Sequence, residues 1–215
     1  MNLPGSKGEH QLQEKFGSAR RALGFYNKQV MDHLSPVMQR FIGEQELLFI
    51  ATADSHGECD CSFRAGEPGF VQVISKKSLI FPEYRGNGVM ASLGNISENP
   101  NIGMIFVDIY KTTVGLHVNG KAKILEEFEL YEHLPNDDQV TALTRDKSQK
   151  KSERWIMVSV EEAYIHCSKH IPLVKKLDKD IHWGTDDAAR KGGDFFEVKK
   201  ITKPWEVAKE TALID

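Results

Sequence analysis

Apolar residues recur at three- and four-residue spacing from Glu9 to Gly43, and this pattern predicts one or two amphipathic helices. Gly24 and Ser35-Pro36 are the predicted breaks, because Pro fits the first turn of a helix and the Ser before it can act as a cap. We therefore expect a helical arm (9–43) that packs against a sheet. Residues 1–8 are polar and contain Gly and Pro, which predicts a flexible tail.

The chain then alternates between short segments rich in Val, Ile and aromatic residues and turn-forming residues, a pattern typical of β-strands. The predicted strands are Glu46–Asp54, Glu58–Arg64, Phe70–Ile74, Ser78–Phe81, Asn101–Ile109, Thr113–Leu125 and Arg154–Cys167. A helix is predicted at Gly88–Ser97, and a surface helix after a turn at Pro135-Asn136. Many short strands joined by hairpin-length loops favour a mainly β (α+β) antiparallel barrel or sandwich over a parallel sheet.

The length of 215 residues and the ordinary composition favour one domain with appendages. We place this domain, including the arm, at residues 9–177. Residues 178–215 carry several glycines and little periodicity, so we expect an extension that wraps over the domain or over a partner subunit.

The charge balance excludes any global attraction to nucleic acid or to an anionic membrane, because 28 Lys and Arg face 31 Asp and Glu for a net charge of -3. No signal-like or membrane-spanning apolar run is visible, which makes a cytoplasmic location the expectation. Three cysteines, an odd number, agree with a reducing compartment.

The segment Leu79 to Pro100, LIFPEYRGNGVMASLGNISENP, predicts a strand ending at Phe81, a polar turn, and a helix that Asn87 caps and Pro100 ends. A helix N-terminus offers backbone amides to an anion. The segment therefore predicts a phosphate site.

Within this turn, Arg85 can pair with a phosphate in fork geometry, and Gly86 and Gly88 allow the backbone to approach a ligand closely. The alternative is a solvated turn in which the glycines serve only turn geometry. A second candidate lies on an earlier strand, where Ser62 and Arg64 share one face because they are two residues apart. An exposed strand-end arginine is the alternative there.

We predict neither a metal site nor a catalytic nucleophile in the two segments that contain cysteine. Cys59 and Cys61 lack the second ligand pair that a zinc site needs, so we interpret them as small packing residues. Cys167 lies between His166 and His170, but adjacency in sequence does not place a base for it. Lys169 in the same segment is a cation that could reach an anionic ligand, or simply an exposed lysine.

Taken together, several segments in consistent order resemble the pyridoxamine 5'-phosphate oxidase-related family of FMN-binding split-barrel proteins. The segments that carry the resemblance are FIATAD (Phe49 to Asp54), HGECDCSFRAG (His56 to Gly66), PGFVQV (Pro68 to Val73), Leu79 to Asp108, LHVNGKAKI (Leu116 to Ile124) and AYIHCSKHIP (Ala163 to Pro172).

The resemblance implies a six-stranded antiparallel split barrel with Greek-key topology, a homodimer, and an FMN in each of two clefts at the dimer interface. Matched residue by residue, it implies that Ser62, Phe63 and Arg64 on the strand meet the flavin phosphate. In the turn it implies the same for Tyr84, Arg85, Gly86 and Asn87, with the backbone near Phe63 and Gly88 against the ligand.

This chain also departs from the oxidase itself. The oxidase carries an Arg-x-x-x-x-Lys pattern and a Ser-Arg-Lys after the tyrosine, where this chain has CDCSFRAGE and YRGNG. The Arg-x-Arg-x-x-Trp type ending is absent as well. Those elements are associated with the pyridoxal substrate, so the resemblance implies FMN binding without implying that substrate.

The resulting interpretation is a cytoplasmic FMN-binding homodimer that acts as a flavin-dependent oxidoreductase on an unidentified small molecule, with no catalytic residue assigned. One alternative is a non-catalytic flavin carrier or sensor. Others are a deazaflavin-using relative and an interaction protein that acts through its helical arm. A haem-binding or haem-degrading split barrel would need an axial ligand, for which the candidates are His56, His117, His166 and His170.

Overall fold

The computed structural model describes residues 3–134, 140, 144, 152–182 and 184–205, and it begins with three helices. They are α1 (Lys7–Lys15), α2 (Ala19–Gln29) and α3 (Pro36–Gly43).

The predicted start of α3 is confirmed, because the Ser35 hydroxyl accepts a hydrogen bond from the Met38 amide at 3.3 Å and Pro36 occupies the first turn. The break predicted at Gly24 is wrong. Gly24 lies inside α2, and the chain instead turns at Gly17, whose φ of 65° suits glycine. An antiparallel bridge between Met31 and Ala163 ties the arm to the sheet.

Seven strands among the described residues form one antiparallel sheet, in the order β2-β1-β5-β6-β7-β4-β3. They are β1 (Leu47–Ala53), β2 (Cys59–Ala65), β3 (Gln72–Ser75), β4 (Ser78–Tyr84), β5 (Asn101–Val107), β6 (Gly115–Leu125) and β7 (Ser152–His166). The predicted mainly β, antiparallel split-barrel class is confirmed. The strand number implied by the resemblance is corrected from six to seven, since the four residues of β3 pair with β4 through a tight hairpin.

Side chains alternate along the strands between a buried core face and an outer face. On β1, Leu48 and Ile50 are fully buried while Phe49 between them is exposed. Met104 and Phe106 on β5 join the same core cluster. Burying each such side chain contributes about 1.5–3 kcal/mol.

The segment between β4 and the next helix differs from its prediction. β4 continues past Phe81 to Tyr84. Pro82 has no amide proton to donate, but it still lies in register with a residue of β7 and does not end the strand. The helix α4 spans Ala91–Glu98, not 88–97, and Asn87 is not its cap. The Asn87 side chain instead accepts a hydrogen bond from the Val89 amide at 2.9 Å, which holds a local turn in residues 85–90.

Beyond β6 the chain forms a short 3₁₀ turn (Glu127–Glu129) and α5 (Leu130–His133). The predicted turn at Pro135-Asn136 lies outside the described residues. A 3₁₀ turn (Ser168–His170) follows β7. None of the helices in the described part of the chain is long and apolar enough to cross a membrane.

Gly120 allows a close approach between β6 and β7 at a register shift, and its replacement should destabilise the fold. A Cβ at this position would lie 2.0 Å from the Ser159 carbonyl oxygen, which belongs to backbone that cannot easily move. We expect Gly120→Ala to lower the free energy of unfolding by about 2–3 kcal/mol in chemical denaturation.

The matched control is Gly94→Ala in α4, where a Cβ would meet no atom within 4 Å. This change should raise the free energy of unfolding by about 0.5–1 kcal/mol, because Ala is the better helix former. Equal effects of the two substitutions would contradict the close approach at Gly120.

Candidate functional site

A cavity of about 330 Å³ opens between β2, the end of β4 and the start of α4. Six of the nine residues predicted to bind the cofactor line it, namely Ser62, Arg64, Tyr84, Gly86, Asn87 and Gly88. The two segments that the sequence predicted separately, one on a strand and one in a turn, therefore form one site.

The other three predicted residues do not line this cavity. Phe63 is on the opposite face of β2, 54% exposed, with its ring edge-to-face against Phe49. Lys169 lies in the exposed 3₁₀ turn after β7. Arg85 forms an ion pair with Asp186 of the C-terminal segment at 2.9 Å and a longer one with Glu153 at 3.8 Å.

Arg64 is held in place by three contacts inside the cavity wall. Its Nε donates to the Glu83 carboxylate at 2.9 Å, and its Nη1 donates to the Ser62 hydroxyl at 2.6 Å and to the Phe63 carbonyl at 3.1 Å. The Arg64 and Glu83 side chains are only 14% and 17% exposed. Arg64 is therefore a pre-oriented cation and not a solvated strand-end arginine.

Glu83 was missed in the sequence analysis, although it belongs to the same FPEYRG segment as the predicted turn. Burial raises the pKa of this carboxyl group above its usual value, and this effect outweighs the opposing attraction of Arg64. Nearby Glu153 raises the pKa further. With Asp60 and Glu153, three carboxylates and one guanidinium line the cavity.

The first turn of α4 supplies backbone donors to the cavity. Met90 precedes the helix in a left-handed conformation, and no side chain caps the helix start. Uncapped amides at a helix start are suited to binding an anion. Space is open at Gly86 and Gly88, where a Cβ would meet no atom within 4 Å. The wall can thus donate hydrogen bonds to a phosphate from amides, a hydroxyl and a guanidinium.

A pair of histidines lies outside this cavity, on β6 and β7. His117 Nε2 and His166 Nδ1 are 2.9 Å apart, and the His117 ring stacks on Tyr164 with centroids 4.7 Å apart. Burial lowers the pKa of His117, and His166 lowers it further. Gly115 makes room for His166, since a Cβ there would lie 2.7 Å from that of the histidine.

The remaining candidates do not form a site. His56 is largely exposed in its loop and His170 lies in the exposed turn after β7. Within the described residues, no group of three or more His, Cys, Asp or Glu side chains could hold a metal ion. Cys59 and Cys61 are exposed on the outer face of β2, so the prediction that they are packing residues is wrong.

Comparison with known families matches residues 34–167, more than half of the chain, to the model described as pyridoxamine 5'-phosphate oxidase. The chain belongs to the pyridoxamine 5'-phosphate oxidase family. The matched region contains every residue that lines the cavity, whereas Lys169 falls just beyond it. The curated proteins give no significant match.

Several solved structures are similar to the chain. HupZ from Group A Streptococcus is 21% identical with a TM-score of 0.46, covering 61% of this chain and 92% of that one. An FMN-binding protein from Syntrophomonas wolfei is 14% identical with a TM-score of 0.41, covering 74% and 97%. HutZ, the heme storage protein of Vibrio cholerae, is 13% identical with a TM-score of 0.37, covering 61% and 94%. At these similarities none of them informs the function of this chain.

The contact between His117 and His166 should be visible in a pH titration. We expect the pKa of His117 in the folded protein to lie below the usual value of about 6.5, and His166→Asn to raise it part of the way back, because the burial of His117 remains. Histidine NMR signals followed against pH measure both values.

The same shift has a consequence for stability. Because the folded-state pKa is lowered, the contribution of His117 is fully present above the unfolded-state value of about 6.5 and is lost as the pH falls towards the folded-state value. The loss should be smaller in His166→Asn. An unchanged His117 pKa in this variant would show that the two rings do not interact in solution.

Proposed function

We propose that this protein binds FMN, with the flavin phosphate in the 330 Å³ cavity. The observation that carries the proposal is the convergence of Ser62, Arg64 and the Asn87 turn on the uncapped start of α4. Each supplies hydrogen-bond donors of the kind that bind phosphate, and the family membership agrees with a flavin.

The cavity fits the phosphate and ribityl end of the cofactor better than the whole molecule. Its volume is at the lower end of the range for ligand pockets, and its wall is polar near Ser62 and Arg64. The ring system would then extend beyond the cavity, towards the protein surface.

Bound FMN supplies hydride and electron transfer, and the protein supplies binding and orientation. We propose a flavin-dependent oxidoreductase of undetermined substrate, since the flavin ring would remain accessible beyond the cavity. A non-catalytic flavin carrier would keep the same phosphate contacts but show no turnover with reduced nicotinamide. Lys169 and Arg85 stay predictions as further phosphate ligands.

We also propose a homodimer, with the flavin sites at its interface as the resemblance to the family implies. Its support is the outer face of the sheet, where Phe49 and Phe63 are exposed side by side at a ring distance of 5.4 Å. Adjacent exposed aromatic side chains are typical of surfaces that a partner covers.

Haem binding is a second candidate function, favoured by the His117–His166 pair. A metal-ligating histidine commonly donates its second ring N–H to an acceptor, which fixes the ring. His166 can do so through Nδ1 to His117. This bond leaves its Nε2, which has no hydrogen-bond partner among the described residues, as the ligand atom.

The spectrum of the purified protein decides between the two cofactors. We expect flavin absorption, either as isolated or after addition of FMN, and a released compound with the mass of FMN. A Soret band after addition of haemin, lost in His166→Ala, would support haem instead. Protein that takes up neither compound would contradict both candidates.

Substitution of Arg64 tests the phosphate site in a titration with FMN. We expect Arg64→Ala to weaken FMN binding by about 1.5–3 kcal/mol, because a charge-assisted hydrogen bond is lost. The control is Lys123→Ala, which removes a cation paired with Glu129 on the exposed side of β6. Equal losses in the two variants would indicate a general charge effect and not a contact in the cavity.

A further inference from the structure

The contacts of Arg64 determine which part of its guanidinium a ligand can reach. Nε is occupied by Glu83, and Nη1 by Ser62 and the Phe63 carbonyl. Nη2 has no hydrogen-bond partner within the described residues. A ligand anion in the cavity would therefore meet Arg64 at Nη2, in an orientation that the Glu83 contact fixes from the other side of the group.

Glu83 reaches Arg64 from a strand that is not its neighbour in the sheet. Arg64 is on β2, at one end of the strand order, and Glu83 is on β4, next to the other end. No backbone hydrogen bonds join these two strands, so the side-chain contact with Glu83 fixes the guanidinium against β4.

A bound phosphate would add negative charge to a wall that already carries three carboxylates. Asp60 and Arg64 face the cavity from β2, Glu83 from β4 and Glu153 from β7. Arg85 follows β4 but pairs with Asp186 and Glu153. Glu83 is the carboxylate in contact with Arg64, so a bound anion and Glu83 would share one guanidinium and their negative charges would repel each other.

We propose that Glu83 is the positioning residue of the anion site. Its carboxylate accepts a hydrogen bond from Arg64 and so orients the guanidinium, while its negative charge repels the bound phosphate and weakens binding. This inference rests on the proposed FMN site. A protonated Glu83 keeps a carbonyl oxygen that can accept from Arg64 Nε, so binding of the anion favours uptake of a proton at this carboxyl group.

Two substitutions of similar size separate the acceptor from the charge. Glu83→Gln keeps an acceptor oxygen and removes the charge, whereas Glu83→Leu removes both. The two variants have the same net charge, so their comparison isolates the hydrogen bond. We expect the Gln variant to bind FMN about tenfold more tightly than the Leu variant, measured by fluorescence titration of the flavin.

Comparison of Glu83→Gln with wild-type protein isolates the charge. At pH 8 we expect the variant to bind FMN about threefold to tenfold more tightly, because a repelling charge near the phosphate is gone. Glu153→Gln is the control, since Glu153 lines the same cavity without contacting Arg64. It should bind FMN more tightly as well, but Glu153→Leu should not differ from it.

The pH profile adds a readout that a purely structural role would not change. Burial raises the pKa of Glu83, and the phosphate would raise it further. The affinity of wild-type protein for FMN should thus rise as the pH falls from the pKa of Glu83 in the FMN-bound protein to its pKa in the free protein. The second ionisation of a phosphate monoester, near pH 6, acts equally in both proteins. The ratio of the wild-type to the Glu83→Gln dissociation constant should therefore be greatest above both pKa values of Glu83, and it should approach one at acid pH, where Glu83 is protonated.

Each outcome decides one point. Equal affinity of the Gln and Leu variants would overturn the positioning role, and weaker binding by Gln than by wild type would show that the charge itself is needed. In both cases wild-type FMN binding stands. No binding of FMN by wild-type protein would overturn the proposed function and this inference with it.

Discussion

The ion pair between Arg64 and Glu83 is the contact on which the candidate site depends. It joins β2 to β4 where no backbone ladder does, and it lies in the wall of the cavity. Removing a charge from water is unfavourable, and the close pairing lowers this cost for two side chains that are only 14% and 17% exposed. The pair thus holds the strand half of the site against the turn half, and Ser62 and the start of α4 converge around it.

Much of this arrangement could be predicted from local patterns. The strands follow from alternating apolar residues and turn chemistry, and their predicted centres agree with the structure. The same period of two places Ser62 and Arg64 on one face, and it places Phe63 on the other. The resemblance implies a role near the ligand for the backbone at Phe63, which this alternation of side chains does not test. The side chain is in fact on the outer face, although its carbonyl accepts from Arg64.

Features that depend on distant residues could not be predicted in this way. The side chain of Asn87 is of a type that caps helices, but α4 begins only after Met90, which has a left-handed conformation. Asn87 therefore accepts its hydrogen bond from the amide of Val89, before the helix begins. The local sequence predicts that Arg85 is a phosphate ligand, but in the structure it forms an ion pair with Asp186 of the C-terminal segment. The partnership of Arg64 with Glu83 depends on how the sheet curves, which no local spacing encodes. Sequence thus identifies the donors of the site, whereas the fold determines which of them are already engaged.

Comparison of FMN with riboflavin, which lacks the phosphate, tests the central claim most directly. If the phosphate occupies the cavity, wild-type protein should bind FMN at least about tenfold more tightly than riboflavin, because charge-assisted hydrogen bonds are lost with the phosphate. In Arg64→Ala the difference should shrink, because the lost contact is one to the phosphate, which riboflavin lacks. Equal affinities for the two flavins in wild-type protein, or an undiminished difference in the variant, would contradict a phosphate site at Arg64.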